Sequence, residues 1–553
     1  MGMLKTVTLN FTETGRMDLP MKGITVFVGP NNSGKSLVLR EIEQIFEVHP
    51  FPTGLHIVSD YDIDWPSKAD VQNRLDKIKK TQPRVTPFGQ VVLSRVHPSN
   101  GRQASGHDED TILRIVEQQT EKNWFATQYL KFGVLQLDGR SRFNLTNDQT
   151  AGDLTGDAGN VLSHLFKDDK ARERVRDVVL DAFGIHFVVD PTNLGQLRIK
   201  LSNEKPSKDE QSLNAKAREY YSNATHIKEA SDGVQAFTGI VTAVLSSEYH
   251  TLLIDEPEAF LHPPLARKLG KNLASLASEG GGTLVASTHS SDFLMGCVQA
   301  SNSVRVVRLE YSKGKSRARA IDPTELSNLL TRPLMRSANV ISGLFHDGVV
   351  VLESDNDRAF YAEIYHRIAE TKSNYPAILF INAQNKQTIR DIIGPLRRFG
   401  VPAAAIPDID IVKDGGKTWS DWLKAAHVPG ALHIGYGQTR AAINDALHAT
   451  GKDMKADGGV ELLGSSDKAA ANKLFGDLDS YGIFTVRRGE LESWLTQLGV
   501  PGKKTNWTVA MLERLGADTR KSDYVKPATG DVWAFMEHII EWISDSSRQG
   551  MPG

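Results

Sequence analysis

The chain has 553 residues, 40% hydrophobic and 24% charged, which excludes a disordered or fibrous protein and is longer than one core usually supports, about 250 to 300 residues. Its 65 Lys and Arg against 67 Asp and Glu leave a net charge of −2, so global charge neither requires nor excludes a nucleic-acid partner. A single cysteine, Cys297, excludes a disulfide framework or a cysteine-rich zinc site, and no apolar leader or uncharged run of about 18 residues is present, so a cytoplasmic chain of two or three domains with no membrane partner is expected.

In chain order, apolar periodicity predicts strands at residues 5–11 and 24–28 and a helix from about Ser36, with Leu37, Val38, Ile42 and Ile45 on its apolar side. The pattern loosens over residues 72–131, where PSNGRQASGHDED reads as exposed loop. Alternation over residues 134–145 around Asp138-Gly139 predicts a hairpin, because glycine accepts the positive φ of a tight turn. Residues 161–183 read as one helix and residues 207–230 as a polar helix. Strands and helices alternate from Thr251, and a second α/β rhythm starts near Gly348: strand GVVVLE, helix, strand AILFINA, helix, strand PAAAIPDID. The join falls between Asp322 and Phe345.

Between the strand at 24–28 and its following helix, Gly29 to Ser36 fits G-x-x-x-x-G-K-[ST]. Such a loop, here with Gly29, Asn32 and Gly34, wraps phosphates with backbone N–H groups at a helix N-terminus. Lys35 is expected at the β- and γ-phosphates and Ser36 on Mg²⁺. Downstream, residues 251–256 form an apolar strand ending in two acids, Asp255 to hold Mg²⁺ and Glu256 to activate water. Standing alone, that segment reads better as a strand before a solvated acidic turn.

It does not stand alone. Ser231-Asp-Gly233-Val-Gln precedes it, and a strand ending at His289 follows. Phosphate loop, signature, Walker B acids and switch histidine in that order resemble the ABC ATPase family, although Ala230 and Asp232 depart from the usual LSGGQ. The resemblance implies that Ser231 and Gly233 contact nucleotide bound by another copy, making a homodimer the smallest assembly and higher oligomers open. His289 is then catalytic; the other reading is a structural histidine at a strand end. The Q-loop glutamine is open between Gln90 and Gln136. His262 is expected to cap the helix after Pro263.

In the second rhythm, Glu353 closes one strand, Asp357 follows, and Asp408 and Asp410 close another. Acids at the C-terminal ends of parallel strands converge on one crevice, and such a cluster calls for a hard cation, Mg²⁺ or Mn²⁺. Strand-end caps are the plain alternative. The pattern resembles the Toprim domain, with Ser354 where glycine is usual, and Gly489-Glu490-Leu-Glu492 resembles the acidic segment late in such domains of the OLD (overcoming lysogenization defect) family. That resemblance implies catalytic Glu353, Asp408 and Asp410 and metal ligation by these with Asp357 and Glu492, where either Glu490 or Glu492 is a further ligand or else a first-turn acid stabilised by the helix dipole. The metal at Ser36 and Asp255 belongs to the phosphate-loop reading above. Arg390, Arg397, Arg398, Lys413 and Lys417 are candidates for DNA phosphates or a solvated face.

The expected fold is α/β: an ABC-type P-loop ATPase head over 1–335 with a helical insertion at about 72–230, then a Toprim-like parallel-sheet domain with a C-terminal helical tail over 345–553. This order resembles the OLD family and Gabija-type antiphage nucleases. It implies an ATPase that gates a metal-dependent DNA endonuclease, in antiphage defence or DNA processing, with ATP and Mg²⁺ as cofactors. The alternative is an ATP-driven sensor with a non-cleaving Toprim domain that controls a partner effector or answers a phage-derived trigger.

Overall fold

The apolar run Gly23–Val28 is buried because it forms an inner strand of a mostly parallel sheet, where both faces are covered. In this computed structural model, residues 3–81, 90–98, 101–139, 142–207, 209–246, 249–279, 281–332 and 339–552 are described. The chain divides into two compact units, one of Met1–Val28 and Asn32–Thr324, the other of Glu325–Gly553 with the loop residues Gly29–Asn31.

In the first unit, the six-stranded order is Lys315–Ile321, Arg305–Ser312, Gly23–Val28, Thr283–Ser287, Thr251–Asp255, Val134–Leu137. All neighbours are parallel except the terminal hairpin of Arg305–Ser312 and Lys315–Ile321. Register places Ser287 beside both Asp255 and Phe27, so the loops after three strands open at one end of the sheet. Helix Lys35–Glu47 buries Val38, Leu39, Ile42, Ile45 and Phe46 along one stripe. On the same helix, the buried Glu41 carboxylate accepts N–H bonds from His56, Ile57 and Val58 at 2.8, 2.9 and 2.8 Å, pinning the following segment against it. Helices Pro263–Glu279 and Ser291–Ala300 meet closely, and the buried thiol of Cys297 points at the carbonyl of Gly270, 3.5 Å away.

Four sequence expectations are corrected here. Within residues 72–131, helices Lys68–Thr81, Glu109–Gln118 and Lys122–Gln128 flank a hairpin of Val91–His97 with Gly101–His107. The polar second strand carries no apolar alternation; it is held by its backbone ladder and by Arg95–Gln103 and Arg102–Ser94 side-chain bonds. The hairpin at Asp138-Gly139 does not form: Val134–Leu137 pairs instead with distant Thr251–Ile254, and Arg142–Thr146 is a 3₁₀ turn. The helix over 161–183 is two, Val161–Lys167 and Asp169–Phe183, because Asp168 caps the second by accepting the Ala171 N–H. The polar helix is only Ala215–Asn223.

In the second unit, parallel strands run Ile378–Asn382, Gly348–Leu352, Ala403–Ile406. Residues 482–486 extend this edge through Ala405 N–H to Gly482 O, Phe484 N–H to Ala405 O and Val486 N–H to Pro407 O. Helices Lys504–Leu515 and Asp531–Ser544 pack on helix Asp355–Glu370 and add Trp507, Trp533 and Trp542 to the core, so the segment beyond residue 500 is structural. Arg397, offered above as a DNA contact, is fully buried and donates to the carbonyls of Ala403, Ala426, Tyr481, Gly482 and Gly550. Arg390 donates to Thr418 O and Arg398 pairs with Glu325, while Lys413 and Lys417 stay exposed. No helix among the described residues is long and apolar enough to cross a membrane.

Replacing Arg397 with leucine strands five buried carbonyls. We expect Arg397→Leu to destabilise the second unit by about 3 kcal/mol or more, read as a fall in the urea midpoint.

Candidate nucleotide and acidic sites

The first site is built where strands Gly23–Val28, Thr251–Asp255 and Thr283–Ser287 end together. After the first comes the loop Gly29 to Gly34. Gly29 (φ 143°), Asn32 (φ 60°) and Gly34 (φ 94°) hold conformations that L side chains rarely adopt, and they lead into helix Lys35–Glu47. Ser36 Oγ donates to Asp255 Oδ1 at 2.9 Å, and Ser287 Oγ bonds to the same oxygen. The hydroxyl and the carboxylate expected to share Mg²⁺ are therefore adjacent.

Lys35 is 4% exposed, and its ammonium donates to Ser33 Oγ at 3.2 Å. Burial draws its pKa down to about 8 against the pull of Glu256 and Asp255. Glu256 sits past the strand end with φ 47°, its N–H on Ser287 O at 3.0 Å. His289 Nε2 lies 3.4 Å from Glu256 Oε1, and burial, helped by Lys35, holds that imidazole below its ordinary pKa. Lys35, Ser36, Asp255, Glu256 and His289 are thus brought together.

Ser231 and Gly233 stand elsewhere, at the start of helix Asp232–Leu245. Ser231 is its N-cap residue but makes no side-chain cap bond, leaving the hydroxyl uncommitted to the helix. A Cβ on Gly233 would fall 2.9 Å from Phe260 O, so glycine is required by close approach. Of the Q-loop candidates, Gln136 lies in the strand paired with Leu253, whereas Gln90 packs against Gly106 in the insertion. At His262 it is the carbonyl, accepting from Leu265 and Ala266, that engages the helix start.

Sequence reasoning missed Ser287, Glu258 and Arg142. Glu258 Oε1 accepts the His289 N–H at 2.7 Å, tying the switch loop to the Walker B turn; burial foremost raises its pKa. Its spacing in E-P-E was a visible signal. Arg142, in the turn misread as a hairpin, had none.

The second site lies at the ends of Gly348–Leu352 and Ala403–Ile406. These strands are adjacent and parallel, so Glu353 and Asp408 arrive side by side, with the Asp408 N–H 3.3 Å from Glu353 Oε1. Burial and then Asp410 raise the Glu353 pKa; burial and then Glu353 push Asp408 up to about 8. Lys455 Nζ reaches Asp408 Oδ2 at 2.5 Å and Glu490 Oε2 at 3.8 Å. Burial alone would lower that ammonium's pKa, but Asp408 more than offsets it and Lys455 keeps its proton. Lys455 is there because a Cβ on Gly489 would fall 2.0 Å from Lys455 O: only glycine lets the two backbones meet, and Gly489 O also accepts the Ile409 N–H.

The remaining acids are committed differently. Asp410 Oδ1 is buried and faces the Lys386 ammonium at 3.3 Å as an ion pair rather than a hydrogen bond. Asp357 Oδ2 receives the Ser354 hydroxyl at 2.7 Å and N–H at 2.9 Å, a capping box on helix Asp355–Glu370. Ser354 is therefore a cap where glycine was expected to give close packing. Glu492 Oε1 accepts the Lys504 N–H at 2.5 Å, so Glu490 is the acid of that pair that borders Lys455. The donor set fits a hard divalent cation in kind and in charge, although among the described residues no three ligands stand at metal-binding spacing and Lys455 supplies the positive charge.

The loop before helix Lys35–Glu47, the helix after Ser231 and the acids closing strand Thr251–Asp255 lie on one parallel sheet in an arrangement similar to that of P-loop ATPase heads of the ABC type. Within that class, residues 151–296 match the family model "AAA domain, putative AbiEii toxin, Type IV TA system". The chain is 22% identical over 443 residues to the OLD nuclease of Thermus scotoductus, covering 74% of this chain and 82% of that one. It is 24% identical over 313 residues to the Old nuclease of Escherichia phage P2, covering 54% and 51%. Among solved structures, an SMC head bound to the C-terminal winged-helix domain of ScpA matches at 13% identity and TM-score 0.34, covering 59% of this chain and 99% of that one. The OLD-family resemblance carried by the motif order is thereby supported along most of the chain.

Lys35 yields a pH test. Its folded pKa of about 8 lies below the unfolded 10.5, so the native state binds fewer protons between those values. The buried charge costs stability in full below pH 8, and that cost fades as pH rises toward 10.5. Lys35→Met should therefore raise the melting temperature of nucleotide-free protein at pH 7, with the gain shrinking between pH 8 and 10; a gain independent of pH would refute this.

Proposed function

We propose that the chain couples ATP hydrolysis in its first unit to metal-dependent cleavage of DNA by its second, a Toprim-type domain, in antiphage defence or DNA processing. The observation that carries the reading is the side-by-side arrival of Glu353 and Asp408, buried, on adjacent parallel strands beside a cationic Lys455. The nuclease names of both curated relatives point the same way.

At the first site Lys35 binds the β- and γ-phosphates, Ser36 and Asp255 would hold Mg²⁺, and Glu256 accepts the proton of the attacking water with His289 beside it. Ser231 and Gly233 reach nucleotide on a second copy, so the working form is at least a dimer. At the second site Glu353, Asp408 and Asp410 would hold Mg²⁺ or Mn²⁺, with Asp357 and Glu492 as further ligands. A bound divalent ion there supplies stabilisation for the attacking and leaving oxygens of a phosphodiester. Lys455 places one fixed positive charge where negative charge develops on the phosphate.

A second reading, an ATP-driven sensor acting through a partner effector, is favoured by one observation: Lys455 and Ser354 already satisfy Asp408 and Asp357.

Supercoiled and linear DNA incubated with the protein in Mg²⁺ or Mn²⁺, with and without ATP, separates the two. Cutting should occur and fall by at least about 100-fold in Glu353→Ala, Asp408→Ala and Lys455→Ala. Intact ATPase activity without cutting under every condition would establish the sensor reading instead. Lys35→Ala should abolish ATP hydrolysis; normal turnover in that variant would remove the nucleotide assignment.

A further inference from the structure

Arg142 is 1% exposed, and its guanidinium donates to the carbonyls of Asp255 at 3.1 Å, Glu256 at 2.6 Å and Ala259 at 3.1 Å. It thereby fastens the whole Walker B turn. That turn needs fastening, since Glu256 (φ 47°) and Phe260 (φ 70°) are non-glycine residues in the left-handed region, a conformation that persists only where surroundings enforce it. A planar guanidinium spans three carbonyls as an ammonium does not.

The short turn Arg142–Thr146 is gripped in its own turn by the signature segment. Lys228, three residues before Ser231, donates to Phe143 O at 2.8 Å and to Thr146 Oγ1 at 3.0 Å. Within helix Asp232–Leu245, a Cβ on Gly239 would lie 3.0 Å from Leu145 Cβ and 3.4 Å from Arg142 O, so the helix rests directly on the turn. Phe143 and Phe260 meet edge to face at 4.9 Å, and Gly233 abuts Phe260 O. The signature segment therefore touches the Walker B turn at its end and, through Arg142, at its beginning.

We propose that the Arg142–Thr146 turn is a relay within the first unit: displacement of the signature segment by nucleotide on a second copy passes through Lys228 to the turn and through Arg142 to Glu256. Arg142 and Lys228 are positioning residues, since neither is placed on nucleotide. The proposal rests on the readings that Glu256 activates water for ATP hydrolysis and that Ser231 and Gly233 reach nucleotide on a second copy.

The test is a double-mutant cycle of Arg142→Lys and Lys228→Met in the full chain, reading kcat, affinity for a fluorescent ATP analogue and melting temperature. Each variant should lower kcat by about 10- to 100-fold, the usual cost of a slightly misplaced catalytic group, while affinity stays within about twofold. The double variant should be little worse than Arg142→Lys alone, because both act along one path. Multiplicative losses in the double variant, or a parallel loss of nucleotide affinity, would overturn the relay. Lys228 lies outside the core, so Lys228→Met reads out even where Arg142→Lys lowers the melting temperature. Wild-type protein that hydrolyses no ATP would remove the ATPase reading and the relay with it; hydrolysis retained in full by Lys228→Met removes the relay alone.

Discussion

Asp255 Oδ1 accepts hydrogen bonds from two hydroxyls, Ser36 at the start of the phosphate-loop helix and Ser287 at the end of the neighbouring strand. Those two bonds fix three strand ends relative to one another, and the rest of the nucleotide site inherits its geometry from them. Side chains alternate along a strand, so a slip of one residue between Thr251–Asp255 and Thr283–Ser287 would turn Asp255 to the opposite face and leave Ser36 without its partner. The observed register, with Asp255 opposite Ser287, keeps that carboxylate on the face of both hydroxyls.

The second unit solves a related problem with different chemistry. Its acids also stand at the ends of parallel strands, but no hydroxyl pair spreads their charge. Lys455 is brought in instead from a segment far along the chain, through the contact of its backbone with Gly489. Burial foremost, and then repulsion from neighbouring carboxylates that one ammonium does not cancel, raises the pKa values of Glu353 and Asp408.

What was legible in the sequence is what local pattern encodes. The phosphate loop shows itself through glycine spacing between a strand and a helix, and the strands ending at Asp255, Glu353 and Asp408 through apolar runs closed by acids. The rest was hidden for identifiable reasons. Gly101–His107 is a strand made of polar residues, held by backbone pairing that leaves no hydropathic trace. Val134–Leu137 takes a partner more than a hundred residues away, so its local alternation suggested a false neighbour. Arg142 acts on the backbone carbonyls of a distant turn and Lys455 on the Asp408 carboxylate, tertiary contacts that no spacing rule reports. Ser354 and Asp357 were legible in two ways, as a metal-binding segment and as a capping box, and the hydrogen bonds found are those of the box.

Cys297 is the chain's one thiol, and it is buried between two closely packed helices with burial holding it far above the ordinary thiol pKa. Thiolate is the reactive form, so this sulfur is shielded both by access and by protonation. The native chain therefore serves as a thiol-silent background. A cysteine introduced on an exposed surface would be the sole reactive handle, open to maleimide dyes or spin labels without first removing a native residue.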